Sequence, residues 1–135
     1  MSDTTRSATW LRLAVVYFVV AVTLGIVMGA SGDHSLMPVH AHLNLLGWVS
    51  MTLFGLIGHL FPATMQGRIA TLQFWLYNLS LPILLATLAA LLRGHKELDP
   101  IVGIGSMVTG IAVLLFAYNV FTGIKAPAAS SRSAR

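Results

Sequence analysis

His40-Ala41-His42-Leu43-Asn44-Leu45-Leu46-Gly47-Trp48-Val49-Ser50 opens an apolar run lasting to Phe61 and Pro62, so two histidines stand where a membrane-spanning helix begins. An imidazole in hydrocarbon loses its water and keeps its hydrogen-bonding demand, which a partner, a cavity or a metal has to meet. On a helix turning 100° per residue, His40 and His42 lie about 200° apart and cannot grip one ion from the same side. The pair serves two sites or two neighbours.

The remainder of the chain has the composition of a membrane protein. Of 135 residues, 56% are hydrophobic and only 9% are charged, far from the balance of a water-soluble domain. The absence of cysteine excludes disulfides, iron-sulfur ligation and a thiolate zinc site, leaving histidine and methionine as the soft ligands. The formal net charge of +4 comes from scattered Arg and Lys at segment ends, with no basic stripe, so nucleic acid is not an expected partner.

Working outward, the expected fold class is an all-α membrane protein with four transmembrane helices at about 11–30, 40–61, 69–92 and 101–121. Residues 1–125 form one transmembrane domain, and 126–135, rich in Ala and Ser, form a disordered cytoplasmic tail. The first apolar run, 20 residues, is too long for the core of a cleaved signal, usually about 7 to 15, and is a retained helix. Arg6, Trp10 and Arg12 are expected to anchor it at the interface. Gly29, Ser31, Gly32 and Asp33 break it, and Pro38 suits the approach to the second helix. Pro82 should kink the third helix, with Ser80 helping to satisfy the freed backbone groups. Gly103, Gly105, Ser106, Thr109 and Gly110 give the fourth a small-residue stripe for tight packing.

Charge sets the expected orientation. Arg6, Arg12, Arg68, Lys125, Arg132 and Arg135 fall on one side, against Arg93 and Lys96 on the other, so the termini are expected in the cytoplasm of an inner-membrane protein. His40 and His42 then lie near the outer, periplasmic side, with His59 roughly 28 Å away near the inner one. Taking His40 as zero, Asn44, Gly47, Met51, Gly55 and Gly58 fall within about 60° of it, a small, slightly polar face suited to another backbone or to a flat ring. The face around His42 carries Leu45, Leu46, Val49, Leu53 and Leu56, either a lipid face or the wall of a cofactor pocket. His34 reads as a loop histidine. Arg93, His95 and Lys96 are interfacial charges or contacts for anionic groups such as haem propionates.

The run from His40 to Val49, with its H-x-H and Leu46-Gly47-Trp48, resembles the tenth helix of the catalytic subunit of haem-copper oxygen and nitric oxide reductases, and is similar to the signature of short four-helix proteins described as subunit-I-like. In that family the first histidine of the pair ligates the high-spin haem and the second the low-spin haem. The resemblance implies metal-ligand roles for His40 and His42, less so for His34, His59 and His95. It places Asn44, Gly47, Arg93 and Lys96 around the cofactor. The family's subunit has twelve helices in three arcs of four, and this chain looks like one arc, so the resemblance also implies a homotrimer in the lipid bilayer. If His42 of one subunit and His40 of the next shared an iron, each haem would be bis-histidine and suited to electron transfer. Without cysteine for covalent attachment the cofactor would be haem b. No His-His pair for the family's copper site exists here, nor a carboxylate inside a helix to relay protons, so the family's enzyme activity is not carried over.

The expected function is therefore a haem b-binding membrane protein for electron transfer or for sensing or handling nitric oxide or oxygen, its redox partner unspecified. Two alternatives stay open. One is a copper or zinc binding or transport protein with His34, Met37, His40 and His42 as an outer cluster. The other is a non-catalytic assembly subunit whose histidines hydrogen-bond between helices.

Overall fold

A computed structural model describes residues 3–124, with side chains from residue 5 onward. The expected tail at 126–135, and the charges of Lys125, Arg132 and Arg135, lie outside the described residues. The chain is all-helical, with four helices long and apolar enough to cross a membrane. We label them α1 (Asp3–Ser31), α2 (Met37–Leu60), α3 (Gly67–Leu92) and α4 (Asp99–Gly123). Short 3-10 turns at Pro62–Met65 and Lys96–Leu98 join α2 to α3 and α3 to α4.

Each helix extends past its expected limit at one or both ends. α2 begins at Met37 because Pro38 occupies its first turn, where a missing N–H costs nothing. Gly32, with φ of 71°, ends the α1 segment in a left-handed turn that a side chain would resist. α1 starts at Asp3 rather than near residue 11, because its first turns are packed by protein. Trp10 is fully buried, meeting Phe54, Phe74 and Tyr77 edge-on with ring centroids 5.1, 5.0 and 5.7 Å away. Arg6 donates to the Met65 carbonyl and, at 2.9 Å, to Thr71 Oγ1. These two residues are thus inside the end of the bundle, not in an interfacial belt, and only Arg12 of the expected anchor is exposed.

α1 packs along α2, and α3 along α4. The aromatic cluster of Trp10, Phe54, Phe74, Tyr77 and Phe116 ties the two pairs together, with Phe54 and Phe116 centroids 4.2 Å apart. Glycines allow the α1–α2 approach. A Cβ at Gly55 would stand 2.8 Å from Leu11 Cγ and 3.1 Å from the Ser7 carbonyl oxygen. Between α3 and α4, Gly105 lies against Leu84, and the Ser80 and Thr109 hydroxyls hydrogen-bond at 2.8 Å. Ser80 therefore serves the α3–α4 seam, and α3 runs unbroken through Pro82. The α4 stripe splits. Gly105 and Thr109 face α3, whereas Gly103, Ser106 and Gly110 are exposed, because α4 turns only one side to the bundle.

Candidate functional site

The site is built on α2, which changes its winding immediately after the histidines. Met37–His42 is α-helical, Leu43–Ser50 is a π-helix, and Met51–Leu60 is α-helical again. π segments are rare and concentrate at functional sites, since widening one turn re-aims side chains and carbonyls. Ser50 Oγ donates to the Leu45 carbonyl, five residues back, at 2.7 Å. The buried Tyr77 hydroxyl on α3 donates to the Leu46 carbonyl at 2.9 Å, giving the widened turn a partner across the bundle.

His40 turns toward α1. Its Nδ1 lies 3.0 Å from the carbonyl oxygen of Ala21, an atom that only accepts, so Nδ1 carries the hydrogen and Nε2 keeps its lone pair. Asn44 donates through Nδ2 to the His40 carbonyl at 2.9 Å and to His40 Nε2 at 3.3 Å. The ring lies over Gly25, where a Cβ would stand 2.9 Å from His40 Cε1. Only a glycine leaves that space.

His42 turns the other way, toward α3 and α4. Its Nδ1 donates to the Pro38 carbonyl at 2.7 Å, again leaving the lone pair on Nε2. A cavity of about 180 Å³ beside it is lined by Leu46, Leu84, Ser106, Thr109 and Gly110. A metal-ligating histidine ordinarily donates its other ring N–H to a carbonyl or carboxylate, which fixes the tautomer and orients the ring. Both histidines have that arrangement. They face different neighbours, so one chain does not direct both at one iron.

The other expected site residues are dispersed. Gly47 is buried beneath Tyr17, where a Cβ would stand 2.5 Å from the ring carbon Cγ, so the flat ring against this glycine is a tyrosine of the same chain. Leu45, Val49, Leu53 and Leu56 are exposed. Arg93 caps the C-terminal end of α3 and Lys96 begins the following turn, both exposed. His95 pairs with Glu97 at 3.0 Å at the surface. His34 Nδ1 donates to the Gly32 carbonyl at 3.0 Å in the α1–α2 loop, and His59 is exposed near the end of α2. Asp33 accepts from the Ser35 backbone N–H at 2.9 Å, which, with help from the Ser35 hydroxyl and the Arg93 charge, holds its carboxyl below the usual range. Among the described residues, no three His, Asp or Glu side chains gather to hold a metal ion. The outer cluster of His34, Met37, His40 and His42 is not assembled within one chain, since its histidines bond three separate carbonyls.

The residues that sequence reasoning missed are Gly25, Tyr17 and Tyr77, which position the histidine-bearing turn from α1 and α3. Tyr77 carried a usable signal: with Gln73, Ser80 and Leu84 it repeats at helical spacing, a partly polar stripe in an apolar span. Comparison with protein-family models, curated proteins and solved structures finds no match for this chain. The likeness to the haem-copper catalytic subunit is therefore carried by the residues from His40 to Val49 themselves.

Proposed function

We propose that the chain is a haem b-binding membrane protein for electron transfer or for sensing or handling a small gas, with each haem iron held by His42 of one copy and His40 of another. The observation that carries this reading is the shared state of the two imidazoles. Each gives its Nδ1 hydrogen to a backbone carbonyl and keeps Nε2 as a ligand nitrogen. Asn44 would have to release His40 Nε2 from its 3.3 Å contact and could then keep only its bond to the His40 carbonyl. Haem would supply one-electron chemistry, or an iron to which a gas binds if one axial position is left open. The cavity beside His42, at about 180 Å³, is smaller than the roughly 300–1,000 Å³ of a pocket that encloses a drug-sized ligand. A single chain supplies a ligand on each side but no enclosure for the ring, so the reading requires association. In the expected homotrimer each copy would give His42 to one haem and His40 to the next.

The second reading has its own observation. His40 is engaged at both nitrogens, by Ala21 and by Asn44, as a histidine that only cross-links α1 to α2 would be. The two readings separate in one experiment. Protein purified in detergent, with and without added haemin, gives oxidised and reduced spectra and a haem-to-chain ratio. About one b-type haem per chain, lost in both His40→Ala and His42→Ala, is the expected result. A colourless preparation that takes up no haem, with His40→Ala merely lowering the melting temperature, overturns the haem reading in favour of the cross-link.

A further inference from the structure

The end of the bundle formed by the start of α1, the 62–65 turn and the start of α3 carries positive charge without an anion. α3 begins at Gly67 after Gln66, with no side chain capping its first turn and no acidic residue within it. Its free N–H groups and dipole make a positive end, and the residue standing there is Arg68, a cation where the dipole favours an anion. A second guanidinium stands behind it. Arg6 is 7% exposed, its Nη2 donates to Thr71 Oγ1, its Nη1 donates to the Met65 carbonyl, and its Nε is buried with no partner. Its described contacts are a hydroxyl and a carbonyl, neither of which neutralises it. The acidic side chains that the structure describes, Asp33, Glu97 and Asp99, lie in or beside the loops at the opposite end.

Between these cations opens a cavity of about 580 Å³, lined by Gly67, Arg68, Thr71, Leu72 and Trp75. Its walls change character along the helix, from Arg68 and Thr71 at the helix end to exposed Leu72 and Trp75 about one and two turns into the apolar span. An inorganic anion has use only for the first half. A phosphodiester carrying acyl chains matches both, with Trp75 placed as an interfacial aromatic.

We propose that this cavity binds an anionic phospholipid, its phosphate held at the N-terminus of α3 by Arg68 and the first-turn N–H groups, with Arg6 supplying charge from behind Thr71. The acyl chains run along Leu72 and Trp75. This site goes beyond the haem reading and stands or falls independently of it.

The test uses the full chain in detergent micelles doped with phosphatidylglycerol or phosphatidylcholine, or mixed with inorganic phosphate. Retained lipid is counted by native mass spectrometry and the melting temperature is recorded. Phosphatidylglycerol is expected to be retained in preference to phosphatidylcholine and to raise the melting temperature. Arg68→Gln should weaken its retention about five-fold, while Arg12→Gln, at an exposed arginine away from the cavity, leaves it unchanged. Equal retention of the two lipids, or an Arg68→Gln protein that behaves like the parent, overturns the proposal. Stabilisation by inorganic phosphate equal to that by phosphatidylglycerol overturns the lipid assignment and leaves a simple anion site. Because Arg68 is exposed, its replacement does not endanger folding, and unchanged helicity of the variant confirms that point.

Discussion

His40 Nδ1 and the carbonyl oxygen of Ala21 stand 3.0 Å apart, joining the first turn of α2 to the middle of α1 across 19 positions of sequence. The bond exists because Gly25, one turn beyond Ala21, has no side chain to fill the space where the imidazole lies. Gly25→Ala puts a Cβ 2.9 Å from His40 Cε1, and a ring held at Nδ1 has little freedom to yield. We expect a loss of about 1–3 kcal/mol in unfolding free energy, measured by steric trapping in bicelles. A Gly25→Ala protein as stable as the parent would show that the ring is not confined by α1.

Gly47 and Tyr17 form the next contact along the same seam. Gly47→Ala places its Cβ 2.5 Å from Tyr17 Cγ and should cost about 1–3 kcal/mol. Adding Tyr17→Ala removes the obstacle, so the double variant should be more stable than the sum of the two single losses predicts. Gly103→Ala, with open space around it, should lie within about 0.5 kcal/mol of the parent in a monomeric preparation.

Tyr77 to the Leu46 carbonyl is the hydrogen bond that supports the widened turn of α2 from α3. Tyr77→Phe leaves that carbonyl without its partner in a water-poor interior. The expected cost is about 0.6–1.7 kcal/mol, the range found for hydrogen bonds between membrane helices. Amide hydrogen exchange should quicken over 43–50 and stay unchanged over the remainder of α2. Uniform quickening along α2 would mean that Tyr77 stabilises packing in general rather than this turn.

Asp33 gives the α1–α2 loop a pH dependence. Its carboxyl is held low chiefly by the Ser35 backbone N–H. A carboxylate with a depressed folded pKa contributes stability that is present above its unfolded value, about 3.9, and is lost as pH falls through the folded value. The Ser35 amide should therefore remain protected at neutral pH and lose protection only below about pH 4. In Asp33→Asn the amide should show little pH dependence beyond intrinsic exchange, which NMR in micelles would read directly.

The helix positions were legible in the chain because they answer to a local requirement. Crossing about 30 Å of hydrocarbon takes about 20 mostly apolar residues, and the four runs near 11–30, 40–61, 69–92 and 101–121 meet it. The divergence of His40 and His42 was legible too, since both fall in the regular first turn of α2, where 100° per residue holds. From residue 43 that angle fails, because Leu43–Ser50 is π-helical, and the wheel drawn from His40 through Gly58 no longer describes one straight face. The environment of Gly47 was illegible for another reason. A small residue declares only that something approaches, and what approaches is Tyr17, thirty positions earlier.

The sequence by itself determined that this chain forms membrane-length helices, that it lacks thiol chemistry, and that two imidazoles leave α2 on different sides. The tertiary structure alone decided which carbonyl holds His40, which ring covers Gly47, and that Arg6 and Trp10 pass into the bundle. The physical reason lies in the solvent. Lipid tails are as apolar as leucine, so hydropathy fixes which segments enter the membrane but says little about which face meets protein. That choice falls to close packing at glycines and to the few hydrogen bonds, His40 to Ala21, Tyr77 to Leu46 and Ser80 to Thr109, that hydrocarbon cannot replace.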